Sequence, residues 1–383
     1  PLQNTRLAAV FVWSWLSFII CLYQLFPLVI KIGKICSSWI YRNPSELGAL
    51  IHLKQSSNTM TNTLIHTAKQ SLIRLIGIAS LLTVTSVALA AEPLVSPNDV
   101  PALSGNPEVR VIDIRAPKDY AQGHINGALN APYGQWRGPA TNPGELPELK
   151  ELTALVQRLG LTPQTHAVVV SSGENDTDFG AAARVYWTLK VLGLEELSIV
   201  NGGMKAWSAA GLGLSTNVPT VAPSGFEPRF NTDLLVKQAQ LVKDVDSAKA
   251  VLVDARPASF FNGETRHVAA KTPGTLPGAV NVAHSVWFKP GTSEVIGAAQ
   301  AKSVAAKFNL ADSDKEIVSF CNTGHWAATN WFVLSELVGD KDVKLYAGSM
   351  VDWSRADQAL PMDNVPGRIK QLWIDAQLWF ASL

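Results

Sequence analysis

One cysteine, Cys321, begins a short stretch of the chain whose residue types could support nucleophilic chemistry. The residues that follow it are Asn322, Thr323, Gly324, His325 and Trp326. A loop of this composition can wrap its backbone N–H groups around an anion, and a thiolate is a strong nucleophile. We therefore predict that Cys321 is catalytic and that these five residues contact its substrate. The alternative is a cysteine that only fills the core, a common place for free cysteines.

The sequence on either side of Cys321 indicates which elements hold it. Residues 316–320 form a short apolar run typical of a buried strand, and residues 327–338 form a run typical of a buried helix. A thiol between the two would lie at a helix N-terminus, where the helix dipole and the backbone amides favour a negative charge. We expect a protonated His325 to add to that stabilisation.

The chain contains an internal repeat. Asp-x-Arg segments end at Arg115 and Arg256, and each is followed by the pattern G-x-x-x-G-A-x-N, at residues 123–130 and 274–281. Apolar strands alternate with helical stretches in both copies. This alternation predicts an α/β fold with two tandem domains, each a mainly parallel central sheet flanked by helices. We expect the two arginines to hold neighbouring turns.

Only the second copy keeps the cysteine. At the equivalent place the first copy has Ser171 or Ser172, followed by a longer loop with three carboxylates, Glu174, Asp176 and Asp178. That negative charge would repel an anionic substrate and disfavour a thiolate. We therefore predict that the first copy is catalytically silent and the second is active.

The N-terminal part of the chain is typical of an exported protein. From Met60, two basic residues precede the apolar run 75–84 and an Ala-Leu-Ala-Ala ending, which predicts a signal peptide over 60–91, cleaved after Ala90 or Ala91. Upstream of it, an apolar run is long enough to span a bilayer. We expect residues 1–59 to be an extension that is absent from the mature protein. The mature chain would be periplasmic, with membrane contact only if the extension or an uncleaved signal is retained.

The rest of the chain divides between the two copies. The first domain is predicted at 92–217, a proline-rich linker at 218–235 and the second domain at 236–383. An apolar stripe near the C-terminus predicts a final helix that packs onto the core. Its members are Ile369, Leu372, Trp373 and Ala376.

Together these features resemble the tandem-domain rhodanese sulfurtransferases, over nearly all of residues 105–360. The resemblance implies that Cys321 carries sulfur as a persulfide. It further implies attack on a donor such as thiosulfate, release of sulfite, and transfer to a thiol or cyanide. The implied partners are thus a small sulfur donor and a thiol acceptor. No cofactor is implied, and the sequence has neither metal-ligand spacing nor a phosphate-binding loop.

The chain departs from the family pattern beside the cysteine and further upstream. The pair Asn322-Thr323 stands where thiosulfate enzymes of the family usually have Arg-Lys and mercaptopyruvate enzymes Gly-Ser. Shortly after the second Asp-x-Arg, where many members have an arginine, this chain has Phe260-Phe261. The cluster that could supply the missing positive charge is Arg266, His267 and Lys271. We predict Arg266 as a substrate contact and leave the donor open.

Other functions compete with catalysed transfer from thiosulfate. A cysteine phosphatase would bind phosphate at the same helix N-terminus, but its loop needs an arginine where this chain has Ala327. A sulfur carrier or partner-binding module without catalysis and a 3-mercaptopyruvate-type sulfurtransferase both stay open. A net charge of +1 argues against nucleic acid as a partner.

Overall fold

The computed structural model describes residues 90–247, 249–310 and 315–381. The predicted extension and all but the last two residues of the predicted signal peptide lie outside these ranges. Within them, no helix is long and apolar enough to cross a membrane. Nor does any group of three or more His, Cys, Asp or Glu side chains in the described ranges have the arrangement to hold a metal ion. Both copies of the repeat belong to one compact unit, Leu89–Leu383.

The first copy is built on a parallel sheet. Its strands are β1 (Leu94–Val95), β2 (Val109–Asp113), β3 (Leu129–Asn130), β4 (His166–Val170) and β5 (Leu197–Val200), in the order β1-β5-β4-β2-β3. Residues 167–170 of the central strand β4 are all buried. A strand that is apolar on both faces requires helices on both sides of the sheet.

Helices follow the strands of the first copy. They are α1 (Val100–Ser104), α2 (Pro117–Gln122), α3 (Leu149–Arg158), α4 (Asp176–Val191) and α5 (Gly203–Ala209). Helix α4 begins after Asn175, whose side chain accepts the backbone N–H groups of Thr177 and Asp178. An asparagine cap of this kind stabilises a helix start, so the first turn of α4 is firmly placed.

The second copy repeats this plan. Its strands are β6 (Val251–Asp254), β7 (Val280–Asn281), β8 (Ile317–Phe320) and β9 (Val343–Leu345), parallel and in the order β7-β6-β8-β9. Its helices are α6 (Gln238–Ser247), α7 (Ala258–Phe261), α8 (Ala298–Lys307), α9 (Trp326–Phe332), α10 (Ser349–Ser354) and α11 (Arg368–Ala381). A π-helix, Val333–Val338, continues α9. The predicted tandem α/β architecture is confirmed, and the strand and helix predicted around Cys321 correspond to β8 and to α9 with its π-helical extension.

Helices α4 and α9 pack against each other and join the two copies. The ring centroids of Phe179 and Tyr186 on α4 lie 5.5 and 5.1 Å from that of Phe332 at the end of α9, in edge-to-face contacts. Aromatic pairs of this geometry add to the free energy gained by burial. The helix that follows Cys321 is therefore held by the first copy as well as by its own sheet.

The repeated arginines tie each strand end to the next turn, as predicted. Arg115 donates to the carboxylate of Asp113 at 2.6 Å and to the carbonyl of Gly123 at 2.8 Å. The equivalent residues of the second copy, with the same two distances, are Arg256, Asp254 and Gly274. These arginines are structural in both copies.

Helix α11 does not pack as the sequence predicts. Ile369, Leu372 and Trp373 are 87%, 60% and 65% exposed, whereas Ile374 is 2% exposed. Asp375, next to it, accepts a hydrogen bond from Arg266 at 2.8 Å. The predicted burial of the apolar stripe is wrong because the helix is fixed through Ile374 and Asp375, which direct the stripe to solvent.

Candidate active site

Cys321 follows directly on β8 and is only 1% exposed. Its backbone N–H and that of Gly324 both donate to the hydroxyl oxygen of Ser349, at 3.0 and 3.1 Å. In return, the backbone N–H of Met350 donates to the Cys321 carbonyl at 3.1 Å. The loop is thus curled around the start of α10, with the thiol inside the protein.

Gly324 allows the loop to close. Its φ is +66°, a left-handed conformation that glycine adopts without strain. A Cβ at this position would lie 2.5 Å from both the carbonyl oxygen of Ala347 and Nη1 of Arg184. No larger residue fits here without a shift of backbone.

His325 joins the loop to the first copy. Its Nε2 lies 2.8 Å from the carbonyl oxygen of Thr177 and its Nδ1 lies 2.8 Å from the hydroxyl of Tyr133. Burial, and next the positive charge of Arg137, lower the pKa of His325 to about 3. The ring is therefore neutral at physiological pH. A carbonyl can only accept, so Nε2 carries the proton and Nδ1 accepts from Tyr133.

The expectation of a protonated His325 is consequently wrong. The physical reason is that the ring is removed from water beside Arg137, and both effects disfavour the cation. His325 cannot stabilise a Cys321 thiolate by charge. It positions the loop through two hydrogen bonds instead.

Trp326 is held by both copies. Its indole N–H donates to the hydroxyl of Thr177 at 3.2 Å, and its ring stacks on His284 with centroids 4.8 Å apart. Phe260 meets the same indole edge-on, with centroids 6.0 Å apart. Phe260, which follows shortly after the second Asp-x-Arg segment, thus packs against the bulky side chain of this loop.

Asn322 and Thr323 are buried, at 5% and 8% exposure. The side-chain oxygen of Asn322 accepts from Arg256 at 3.4 Å, while Arg256 also pairs with Asp254 at 2.6 Å. The backbone N–H of Val351 donates to the Asn322 carbonyl at 3.0 Å. Arg256 therefore reaches the loop as well as the turn that it was predicted to hold.

Arg184 enters the site from α4 of the first copy. Its guanidinium is buried and donates to the carbonyls of Gly324, at 3.3 Å, and Gly144, at 2.8 Å. Its Nε has no hydrogen-bond partner among the described residues. Burial, and then the charge of Arg137, lower the pKa of Arg184 to about 9, so it stays protonated at neutral pH.

The first copy brings its positive charge close to Cys321. A negative charge on Cys321 is one of the smaller influences on Arg184, and it raises the pKa of the Arg184 guanidinium group. Burial raises the pKa of Tyr133. The positive charges of Arg137 and Arg184 lower the pKa of this phenol, and a negative charge on Cys321 raises it. Arg137 also donates to the Tyr133 hydroxyl at 3.0 Å. Sulfur, phenol and two guanidinium groups therefore share one electrostatic environment.

Arg266 is engaged elsewhere. Its guanidinium donates to Asp375 of α11 at 2.8 Å and to the carbonyl of Ala270 at 2.7 Å. Burial, followed by the charges of Arg137 and Arg266, lowers the pKa of His267, which places this segment beside Arg137. The segment thus borders the site, but the contacts of Arg266 give no support to its predicted role in binding substrate, which stays a prediction.

Besides Ser349 and His284 of the second copy, the site includes four residues of the first copy that the sequence did not indicate. They are Tyr133, Arg137, Thr177 and Arg184. The repeat aligned each copy with the other but carried no signal about which surfaces meet. The acidic loop pointed to a silent copy, yet that loop leads into the first turn of α4, which contacts His325 and Trp326.

Comparison with known proteins follows the same division into two copies. The family description "Rhodanese-like domain" matches residues 96–210 and 237–356. A thiosulfate sulfurtransferase of Pseudomonas aeruginosa is 31% identical, over 68% of this chain and 93% of the relative. A 3-mercaptopyruvate sulfurtransferase of Escherichia coli is 28% identical, over 68% of this chain and 94% of the relative.

A solved structure agrees with the sequence relatives. The 3-mercaptopyruvate sulfotransferase SseA of Escherichia coli superposes with a TM-score of 0.58 at 26% identity, over 68% of this chain and 99% of that one. Three findings agree. The family description matches two domains, each copy has its own parallel sheet, and the cysteine loop follows a strand of the second copy. The chain belongs to the tandem-domain rhodanese sulfurtransferase family.

Proposed function

We propose that Cys321 is the residue on which this sulfurtransferase carries sulfur, with thiosulfate as donor. The thiolate attacks the outer sulfur of thiosulfate and forms a new S–S bond. The S–S bond of thiosulfate breaks, and its electron pair leaves with sulfite. The product on the enzyme is a Cys321 persulfide.

The second half of the reaction returns the enzyme to its starting state. A thiolate acceptor, or cyanide, attacks the terminal sulfur of the persulfide and forms an acceptor persulfide or thiocyanate. The S–S bond on the enzyme breaks and its electron pair returns to Cys321 as thiolate. Two displacements on sulfur thus move one sulfur atom without net oxidation or reduction.

The observation that carries this proposal is the contact of Arg184 with the carbonyl of Gly324 at 3.3 Å, which places a buried guanidinium group against the loop that begins at Cys321. A donor anion at the sulfur would meet this guanidinium, and Arg137 lies beside it. Guanidinium groups bind sulfonate-like and phosphate-like oxygens in a planar, two-pronged geometry. We assign them to the sulfonate end of thiosulfate, which leaves its outer sulfur to face Cys321.

The relatives include enzymes for thiosulfate and for 3-mercaptopyruvate, and both donors are small anions. Because Cys321 is only 1% exposed, such small donors are favoured over a bulky one. Two neighbouring guanidinium groups match the dianionic thiosulfate better than a single carboxylate, which is why we place thiosulfate first. A thiol is the proposed acceptor.

We further propose that the protein acts outside the cytoplasm. This rests on the sequence of residues 60–91, with its basic start, apolar centre and Ala-Leu-Ala ending. Fractionation of the native cells would test it. Recovery of the protein in the periplasmic fraction supports the proposal, and recovery only with cytoplasmic markers contradicts it.

A direct assay tests the role of Cys321. The protein is incubated with thiosulfate, digested, and searched by mass spectrometry for one added sulfur atom on the peptide that contains Cys321. Cyanide is then added and thiocyanate is measured. The proposal expects both signals and expects Cys321→Ser to lose both while keeping its melting temperature.

A matched control uses the other two cysteines of the chain. In a preparation that retains residues 1–59, replacing Cys21 and Cys36 by Ser should leave both signals unchanged. Added sulfur on Cys321 without thiocyanate release would indicate a carrier rather than a catalyst. If 3-mercaptopyruvate gave much more added sulfur and thiocyanate than thiosulfate, 3-mercaptopyruvate would replace thiosulfate as the proposed donor. If no small donor added sulfur to Cys321, the proposal of an enzyme would be wrong.

A further inference from the structure

The first residue of the described chain to be tied to the sheet is Ala91. Its backbone nitrogen donates to Oε2 of Glu196 at 2.6 Å. Ala90, just before it, is exposed, whereas Ala91 is half-buried. The Ala91–Glu196 hydrogen bond therefore marks the point at which the chain joins the fold.

From this point on, the backbone belongs to the sheet. The hydroxyl of Ser198 donates to the carbonyl of Glu92 at 2.6 Å, and the backbone N–H of Ile199 donates to the carbonyl of Pro93 at 2.9 Å. Strand β1 then pairs with β5. Glu196 lies at the start of this contact, in the connection between α4 and β5.

The sequence allows two cleavage positions here, and they differ in whether the mature chain keeps the backbone nitrogen of Ala91. Residues 88–90 read Ala-Leu-Ala, the small-x-small pattern that signal peptidases recognise, and both Ala90 and Ala91 could precede the cut. Cleavage after Ala90 turns the nitrogen that already contacts Glu196 into an α-ammonium group. Cleavage after Ala91 removes that nitrogen from the mature chain.

We propose that Glu196 is the binding site for a new N-terminal ammonium group, created by hydrolysis of the Ala90–Ala91 peptide bond. One water molecule is consumed, Ala90 keeps the carboxylate, and the released amine of Ala91 takes up a proton. The bond from a neutral amide N–H to the carboxylate becomes an ion pair, in which the ammonium group has three donors available to Glu196. This proposal rests on export and is independent of sulfur transfer.

The consequence is that processing strengthens the anchoring of β1. In the uncleaved chain the Ala91 amide offers a single donor to Glu196. In the cleaved chain the same contact becomes an ion pair at the edge of the first-copy sheet. The mature protein should therefore depend on Glu196 for stability more than its precursor does.

The first experiment identifies the N-terminus of the processed protein. The full chain is expressed with its own leader in an exporting host, purified, and analysed by N-terminal sequencing and intact mass. The expected first residue is Ala91. A mature chain that begins at Glu92 or elsewhere would overturn the proposal, and an uncleaved chain would also overturn the export on which it rests.

The second experiment measures the ion pair through a cycle of variants. Glu196→Gln is compared with wild type in the processed protein and in a precursor whose cleavage is blocked by Ala90→Leu, since the enzyme needs a small residue before the cut. Glu196→Gln should lower the melting temperature of the processed form by about 2 °C more than that of the precursor, as expected for a partly exposed ion pair.

The neighbouring exposed carboxylate supplies a matched control. Glu195→Gln removes the same charge one residue away and should shift both forms equally. Equal losses from Glu196→Gln in precursor and processed protein, or equal effects of the two variants, would show that Glu196 does not bind the new ammonium group. Thiosulfate turnover should be the same in all processed variants.

Discussion

The hydroxyl of Tyr133 donates a hydrogen bond of 2.8 Å to Nδ1 of His325, and this bond links the first copy to the loop that holds Cys321. Arg137 donates a hydrogen bond to the Tyr133 hydroxyl, and the carbonyl of Thr177 accepts from the opposite side of the His325 ring. The copy without a cysteine therefore does part of the positioning in the active site.

Tyr133→Phe tests this link. The substitution removes the hydroxyl and leaves Nδ1 of His325 without its donor, at a net cost typical of one hydrogen bond. We expect kcat/KM for thiosulfate to fall roughly two- to tenfold. The measurement is thiocyanate formation over a range of thiosulfate concentrations.

The control is Tyr120→Phe, the same chemical change in the core of the first copy. Tyr120 donates to the carbonyl of Ala128 at 2.7 Å. It should lose stability without a matching loss of kcat/KM. Equal activity of Tyr133→Phe and wild type would show that the bond does not position the loop.

The lowered pKa of His325 predicts how the free energy of unfolding changes with pH. Its folded pKa, about 3, lies below the ordinary value of 6.5, so the unfolded chain binds the proton first. The contribution of the neutral ring is complete above pH 6.5, declines as the pH falls from there, and is lost by about pH 3. His325→Gln keeps a donor and an acceptor but cannot titrate.

The measurement is the free energy of unfolding as a function of pH for wild type and His325→Gln. Between pH 6.5 and 3 the wild type should lose stability more steeply, by the slope that corresponds to about one proton. Identical slopes would contradict a neutral His325. His166→Gln is a comparison variant, because burial also lowers the pKa of His166, away from Cys321.

The fold was accessible to sequence reasoning because its signals are local. The apolar runs on both sides of Cys321 predicted β8 and α9, and the duplicated Asp-x-Arg phrases predicted the structural bonds of Arg256. Each of these features depends on residues that lie close together in the chain or in one copy. Duplication repeats such a pattern twice and makes it recognisable.

The missing part of the site depends on contacts between the copies. Nothing in the residues around Arg184 indicates that its guanidinium reaches the carbonyl of Gly324 in the other copy. The neutrality of His325 also depends on burial under the first copy and on Arg137. Composition at the loop alone suggested a cation, and only the tertiary packing reverses that expectation.

Arg137→Gln tests the proposed anion site. Removing this charge should raise KM for thiosulfate roughly three- to tenfold with a smaller change in kcat, because the guanidinium acts on a small anion. The salt dependence of kcat/KM should also weaken. Steady-state kinetics at low and high ionic strength provide the measurement.

An independent signal distinguishes a local effect of Arg137→Gln from poor folding. Because Arg137 lowers the pKa of His325, the variant should titrate His325 at a higher pH, which NMR of the imidazole can follow. Arg158→Gln, in the last turn of α3, removes the same charge and serves as the matched control. An unchanged KM together with an unchanged His325 titration would exclude Arg137 from the site.

Substitution of Gly180 by alanine is expected to change activity without unfolding the protein. It lies inside α4, where alanine is normally favoured over glycine by about 1 kcal/mol. A Cβ at this position would nevertheless lie 3.0 Å from Cδ2, Nε2 and the backbone carbonyl oxygen of His325, so His325 must shift and its ring must move away from the carbonyl of Thr177. Gly180→Ala should therefore lower thiosulfate turnover while the protein stays folded.

A double-mutant cycle shows whether His325 transmits the effect. In a His325→Ala background the contacts with the imidazole are gone and only the backbone carbonyl oxygen of residue 325 stays 3.0 Å from the added methyl group, so Gly180→Ala should cost much less further activity than it does in the wild type. The measurements are turnover and thermal unfolding for the four proteins of the cycle. Additive losses of activity would mean that Gly180 acts on the site by a route other than His325, and that the contact between α4 and the loop is not what positions Cys321.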